Sequence, residues 1–487
     1  MKHLYLIQLA ALALICSACD EEVRIETYSD SHSPMERDFA DVVVPSNIAP
    51  LNFYTTSRPE QQALILSTGT TSFTCIMKDG RVTPKRSQWR SLISDALNRT
   101  ISIVHCVKDD GHWIAYHPFL LYVAPTSIDK FLTYRMIPPG YEKWYEMKLC
   151  QRDLETGEES IIAENRKTGH NCINCHSFRQ NDVKSMSLHT RGSIHGTMLI
   201  TDGEFTKINP ADLGLDCSLV YPYWHPSGRY IAYSTNDTKQ LFHTTDPNAI
   251  EVFDLKSDIV VYDVASNRLI DAPVVAAENA WETYPCFSPD GGKLYFCSAG
   301  AEEMPINYKK VKYSICAVSF DPKLGRIGES VDTIINAANM GKSFVFPRLS
   351  PDGHTMLVTA SDYGCFPIWH NDADIFSINL AYATDTTKCV TDAVKRCDAL
   401  NSEWTESYHS WSSNGHWIVF SSRRDNGLYT TPYIAYFDTK GVAHKPFRLP
   451  QNTDDYYDKC LYSFNIPEFS VNKVQFNSRE FAKALKQ

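Results

Sequence analysis

Several features that would point to familiar functions are missing from this sequence. It has no excess of basic residues, because 47 Lys and Arg stand against 57 Asp and Glu, a formal net charge of -10. A nucleic-acid-binding protein is therefore excluded, since that function depends on a basic surface. The only long apolar run lies at the N-terminus, which excludes a polytopic membrane protein. No Gly-x-Ser-x-Gly elbow and no phosphate-binding glycine loop occurs, which disfavours a hydrolase.

The N-terminal apolar run is typical of an export signal. Residues 4–15 are apolar but too few to span a bilayer comfortably. The segment Cys16-Ser-Ala-Cys19 follows and resembles a bacterial lipobox. The resemblance implies cleavage of a signal peptide, residues 1–18, and lipid attachment to Cys19. An ordinary signal peptide cut nearby and a short uncleaved anchor are the alternatives.

The residues after Cys19 bear on the location of the protein. Asp20, Glu21 and Glu22 resemble the surface-export signal of Bacteroidota lipoproteins, although a solvated linker explains them equally well. We expect a cell-envelope lipoprotein of the outer membrane, on its periplasmic side or at the cell surface. Residues 19–44 are polar and acidic and are predicted to form a flexible tether.

An internal repeat determines the predicted fold. The turn residues Gly228, Gly291, Gly353 and Gly415 recur about every 62 positions. Each lies between two strand-like runs, and the turn before it carries Pro and Asp, or their close substitutes. Pro presets the first turn dihedral, Asp or Asn tolerates the second, and Gly accepts a positive φ. Further strand-like runs follow, so that each repeat has about four strands, as in a propeller blade.

The recurring Ser-Pro-Asp-Gly turn resembles the TolB-like (PD40) β-propeller repeat, over roughly residues 170–450. The resemblance implies an all-β protein with about six four-stranded blades, with seven left open; an unrelated stack of β-hairpins is the alternative. We predict a smaller β-rich region at 45–165, in which a first blade is one option. The propeller is predicted at 166–450 and a closing segment at 451–487.

One motif carries redox chemistry. Residues Cys172-Ile-Asn-Cys175-His176 form Cys-x-x-Cys-His, the attachment motif of c-type haem. Its two thiols add to the vinyl groups of one porphyrin, and the following His reaches the iron. We therefore predict one covalent haem c, attached at Cys172 and Cys175, with His176 as the proximal iron ligand. A metal knuckle or a structural Cys pair is the alternative.

The second axial ligand of the iron is less well determined. His189, His195 and Met198 follow in the same predicted blade and are the candidates, and an open site is the alternative. The loops 362–370 and 423–427 are expected on the same face of the propeller as the haem.

These features favour a mono-haem, cytochrome-like propeller with an electron-transfer or haem-based redox function. A TolB-like module that binds a protein or a glycan, with a secondary haem, is the alternative. A haem enzyme is a third option, and no catalytic residue is assigned. The expected partners are the membrane, through the lipid, and an unidentified redox or envelope protein.

Overall fold

A computed structural model describes residues 23–139, 144–384 and 389–487. The signal peptide and the predicted lipidation site Cys19 lie outside the described residues. Within these ranges, no helix has the length and apolar character needed to cross a membrane.

A β-rich domain comes first in the described chain. Its strands and helices are β1 (Ile25–His32), α1 (Glu36–Phe39), β2 (Val42–Val44), β3 (Phe53–Tyr54), β4 (Gln61–Ser67), β5 (Ser72–Met77), β6 (Arg81–Val82), α2 (Arg86–Asp95), β7 (Thr100–Asp109), β8 (His112–His117) and β9 (Phe119–Val123). Seven strands form one sheet in the order β1-β8-β7-β4-β5, with β9 beside β7 and β2 beside β9. Strand β1 runs parallel to β8. Part of the predicted tether is therefore a strand. Local composition does not reveal this strand, because its partner lies far along the chain.

In the described ranges, six four-stranded sheets follow and form the blades. Their strands, in chain order, are β10 (Phe131–Ile137), β11 (Lys148–Asp153), β12 (Glu159–Glu164), β13 (Cys172–Arg179), β14 (Asp182–Arg191), β15 (Gly196–Thr201), β16 (Glu204–Ile208), β17 (Val220–Trp224), β18 (Tyr230–Phe242), β19 (Ile250–Asp263), β20 (Arg268–Ile270), β21 (Ala280–Phe287), β22 (Lys293–Gly300), β23 (Ser314–Asp321), β24 (Arg326–Ile335), β25 (Ser343–Leu349), β26 (Thr355–Ser361), β27 (Asp374–Asn379), β28 (Val394–Arg396), β29 (Glu406–Trp411), β30 (Trp417–Ser422), β31 (Thr431–Tyr436), β32 (Phe447–Arg448) and β33 (Ser463–Ser470). Short helices α3 (Ala337–Met340), α4 (Leu380–Ala383), α5 (Tyr456–Lys459) and α6 (Ser478–Leu485) complete the chain. The predicted all-β propeller of six four-stranded blades, preceded by a smaller β-rich region, is confirmed.

The first blade is built from both ends of the propeller segment. Strands β10, β11 and β12 supply its outer part, and β33 pairs antiparallel with β10 as its innermost strand. The propeller therefore begins at Phe131 rather than at residue 166. This blade lacks the Pro-Asp-Gly turn, because its innermost strand does not precede its second strand in sequence, and the repeat could not reveal it.

The innermost strands of the six blades share one backbone feature. Each contains a non-glycine residue with a left-handed φ of 47° to 58°, at the point where its pairing register shifts; these residues are Cys175, Tyr221, Tyr284, Phe346, Tyr408 and Ile466. A bulge of this kind bends a strand and redirects the side chains near it. The repetition of the bulge therefore aims one set of side chains from every blade into the central channel.

Candidate functional site: a cavity in the propeller channel

A cavity of about 380 Å³ occupies one end of the channel. Its mouth is lined by Pro226, Pro289, Pro351 and Ser413, which belong to the turns between the first and second strands of their blades. The cavity thus opens on the face that carries these turns. Its volume lies within the usual range for sites that bind small organic molecules.

Four bulged residues of the innermost strands form the floor of the cavity, and the rings of the other two, Tyr284 and Tyr408, pack against this layer; the four are Cys175, Tyr221, Phe346 and Ile466. Ring centroids lie 4.4 Å apart for Tyr221 and Tyr284, 5.5 Å for Tyr284 and Phe346, and 5.2 Å for Phe346 and Tyr408. On the far side of this aromatic layer, the Tyr284 hydroxyl donates to the carbonyl oxygen of Cys365 at 2.8 Å. The loop 362–370 therefore lies at the end of the channel opposite the cavity mouth, and its expected place on the face that carries the haem stays a prediction.

Two indole rings form rigid walls. The Trp224 ring nitrogen donates to the carbonyl oxygen of Ser177 at 3.3 Å, and that of Trp411 donates to the carbonyl oxygen of Arg348 at 3.0 Å. Each bond joins one blade to its neighbour. The two rings are therefore held in place, and their apolar faces line the cavity with the ring of Phe287.

Arg348 is the positively charged side chain among the described residues that line the cavity. Its guanidinium carbon lies 3.9 Å from the ring centroid of Phe346 and 5.2 Å from that of Tyr223. Nη1 donates to the carbonyl oxygen of Pro347 at 2.7 Å, and no carboxylate in the described ranges forms an ion pair with the group. The aromatic rings thus contact the guanidinium without neutralising its charge.

The other titratable groups near Arg348 are held neutral. Burial raises the pKa of Glu468 to about 8, and it lowers the pKa of His176 and that of His409 to about 3. The Phe178 amide donates to Oε1 of Glu468 at 3.0 Å. At neutral pH these three side chains are therefore mostly uncharged, and the positive charge of Arg348 dominates the cavity.

Two of the three predicted haem-binding residues reach this cavity. Cys175 and His176 line it, whereas Cys172, the first residue of β13, does not. Nε2 of His176 is buried without a hydrogen-bond partner in the described part of the chain. A covalent haem needs both thiols and the imidazole at one porphyrin. The arrangement therefore does not fit the group as it stands.

The predicted distal ligands do not reach this site. His189 lies opposite Asn174 in the β13–β14 ladder, and its Nδ1 is 3.0 Å from the hydroxyl oxygen of Thr197. Met198 is buried in an apolar cluster with residues of the first blade. His195 is exposed in a loop. None of these three lines the cavity with His176, because β14 and β15 lie outward of the innermost strand.

Sequence reasoning missed Arg348, His409 and Glu468. Counting from the bulge, the first position of each innermost strand holds His or Pro, and the second position lines the cavity in five of the six strands. Arg348 and Glu468 are the charged residues at that second position among the six strands. Aligning the repeats for charge would have found Arg348. Glu468 lies in β33, outside the tandem repeat, and carries no such signal.

Several solved structures are distantly similar to this chain, whereas no protein family and no curated protein matches it. A puromycin-hydrolyzing peptidase from Mycobacterium tuberculosis is similar at 12% identity and a TM-score of 0.38, covering 88% of this chain and 56% of that chain. Prolyl oligopeptidase B from Galerina marginata is similar at 9% identity and a TM-score of 0.37, over 65% and 44%. A prolyl endopeptidase is similar at 10% identity and a TM-score of 0.35, over 71% and 40%.

None of these similarities supports the expected functions. The three structures named above are peptidases, and none of them is described as a cytochrome or a TolB-like binding module. The electron-transfer function and the protein- or glycan-binding alternative are therefore withdrawn. The expectation that the protein is not a hydrolase gains no support from them either. The present chain spans 56% or less of each of the three proteins, and a likeness this distant transfers no activity to it.

Proposed function

We propose that the channel cavity binds a small organic carboxylate with an apolar or aromatic body. The observation that carries this proposal is the guanidinium of Arg348, which faces an aromatic cavity without a carboxylate partner in the described chain. A buried or half-buried charge is costly unless it is paired. A carboxylate ligand would supply the missing partner.

The shape of the site supports the same class of ligand. The guanidinium carbon lies 3.9 Å from the centroid of the Phe346 ring, and a guanidinium can donate two parallel hydrogen bonds to one carboxylate. The indole rings of Trp224 and Trp411 offer apolar walls for the rest of the molecule. The aromatic floor limits the length of the ligand, which enters from the turn face.

A matched pair of probes tests this proposal. Indole-3-acetate carries a carboxylate, and indole-3-acetamide has nearly the same shape without the charge. Calorimetric titration at pH 7 should show binding of the acetate and binding at least tenfold weaker of the amide. An interaction with a charged group contributes about 1.5–3 kcal/mol, or roughly ten- to hundredfold in affinity.

Two substitutions test whether the preference for the acetate arises in the cavity. Arg348→Gln should reduce acetate affinity to the level of the amide, while Arg326→Gln, an exposed position on β24, should leave it unchanged. Equal affinity of the wild-type protein for acetate and amide would refute the proposal. So would full acetate binding by a folded Arg348→Gln variant.

Location and cofactor are separate proposals. Lipid on Cys19 and a place in the cell envelope rest on the lipobox alone. A covalent haem rests on the Cys-x-x-Cys-His motif, and residence in the outer membrane on the acidic residues after Cys19.

A further inference from the structure

The turn between β13 and β14, in the second blade, differs from the turns beside it at the cavity mouth. The turns of the third to sixth blades run through a glycine and place a proline or a serine at the mouth. The second blade has only Gln180 and Asn181 between its strands, with left-handed φ values of 46° and 63°. Such a two-residue turn reverses the chain tightly. It brings a long, flexible side chain, that of Gln180, to the mouth of the cavity.

Asn181 fixes this turn on one side of the mouth. Its Nδ2 donates to the carbonyl oxygens of Trp411, at 3.0 Å, and of Phe469, at 3.1 Å. Its own carbonyl oxygen accepts a hydrogen bond from the Val471 amide at 3.1 Å. The partners belong to the sixth blade, to the closing strand β33 and to the residue just after that strand. The base of the turn is therefore held by three hydrogen bonds.

The side chain of Gln180 reaches the other side of the mouth. Its Nε2 donates to the carbonyl oxygen of Pro289 in the fourth blade, at 3.4 Å, and the third blade lies between the two turns. The residue is exposed, and in the described part of the chain its side chain forms this one long hydrogen bond. The turn is thus fixed at Asn181 and weakly held at Gln180.

We infer that Gln180 gates the cavity: its side chain swings away from Pro289 to admit the carboxylate ligand and closes over the ligand again. This inference rests on the proposed function and names how entry to the same site is controlled. The hinge is the side chain itself, because Asn181 keeps the backbone of the turn in place.

A gate of this kind has a specific kinetic signature. Entry and departure of the ligand both require the open position, so the hydrogen bond to Pro289 slows both steps by the same factor. One such bond favours the closed position by about two- to tenfold. Its removal should raise the association and dissociation rate constants together and leave the dissociation constant unchanged. Loss of a residue that only contacts the ligand would instead weaken binding, mainly through faster dissociation.

The experiment is a fluorine-19 NMR titration of 5-fluoroindole-3-acetate with the full chain at pH 7, in which line shapes give both rate constants. Gln180→Ala should raise both by about two- to tenfold, with little change in the dissociation constant. Gln180→Met keeps the length of the side chain but cannot donate to Pro289, and it should exchange as fast as Gln180→Ala. Gln475→Ala is the matched control and should keep the wild-type rates. That exposed amide donates to the carbonyl oxygen of Lys473 at 2.7 Å and does not line the cavity.

The outcomes separate the two proposals. Wild-type rate constants in Gln180→Ala or in Gln180→Met overturn the gate and leave the proposed function intact. Faster dissociation alone, with weaker binding, also overturns it, because Gln180 would then hold the ligand rather than the entrance. Equal acceleration in Gln475→Ala has the same consequence. A wild-type protein that does not bind the probe rejects the proposed function, and the gate falls with it.

Discussion

Oε2 of Glu468 lies 3.7 Å from Nε2 of His176, across the junction between the first and second blades. The two residues are far apart in sequence, and they meet only because β33 returns to pair with β10. The cavity is therefore complete only when the propeller ring is closed. Closure of the ring and completion of the site therefore depend on the same strand, β33.

The closing strand should contribute strongly to stability. Phe469 on β33 is fully buried in the apolar core that includes Leu132 and Tyr134 of the first blade. Phe469→Ala should lower the free energy of unfolding by about 3–5 kcal/mol, because it removes a buried aromatic ring and leaves a cavity. Urea unfolding followed by circular dichroism measures the change. Val471→Ala, at an exposed position just after the strand, is the control and should cost little. Equal decreases in the free energy of unfolding for the two substitutions would show that Phe469 does not hold β33 in the apolar core.

Stability should fall as the solution becomes acidic. His105 is buried, with Nδ1 3.1 Å from the Ser33 hydroxyl and Nε2 2.9 Å from Oε1 of Gln62, and burial lowers its pKa to about 4. The unfolded chain takes up the proton near pH 6.5 and the folded chain does not, so stability is present above pH 6.5 and declines below it. For His105 the loss between pH 7 and 5 is about 2 kcal/mol.

His105→Gln isolates this contribution. The variant should show a smaller decrease in unfolding free energy between pH 7 and 5, whatever its stability at pH 7. His354→Gln, at an exposed site, should keep the wild-type decrease. If the unfolding free energy of His105→Gln decreased between pH 7 and 5 as much as that of the wild-type protein, His105 would not be the group that takes up a proton on unfolding.

Covalent haem at Cys172 and Cys175 remains a prediction, and it requires both thiols and the imidazole of His176 to reach one porphyrin. Cys172 pairs with Arg191 at the start of the β13–β14 ladder and lies away from the cavity. Protein made with a c-type haem maturation system should retain haem through acid-acetone extraction, and Cys172→Ser with Cys175→Ser should not. Attachment should also free the first residues of β13, measured as faster amide hydrogen exchange at 172–174. A wild-type protein without covalent haem would contradict the motif-based prediction.

The predicted lipid would hold the fold close to the membrane. Strand β1 begins at Ile25, so five residues separate it from Cys19, and they span at most about 17 Å when extended. Cys19→Ala should move the protein from the detergent phase to the aqueous phase on Triton X-114 partition. Inserting a flexible ten-residue linker after residue 22 should keep the protein in the detergent phase. Unchanged partition of Cys19→Ala would argue against lipid at this position.

The repeat made much of the fold predictable. Gly291, for example, has a φ of 75°, and a Cβ there would collide with the ring of His225, so the turn requires glycine and leaves a clear signal. The first blade and β1 depend on pairing between distant segments, which local patterns do not encode. The site was only partly predictable for the same reason. Cys175 and His176 stand out as a motif. Glu468 joins them only because the closing strand places its carboxylate against the amide of Phe178, some 290 positions earlier in the sequence.

We propose that Arg348 holds a carboxylate in the channel cavity. The most direct test is a crystal structure of the protein with 5-bromoindole-3-acetate at pH 7, using the anomalous signal of bromine to locate the probe. We predict one bromine between Trp224 and Trp411, with the carboxylate within hydrogen-bond distance of the Arg348 guanidinium. Bromine at another site, or a cavity without the probe at saturating concentration, would contradict the claim.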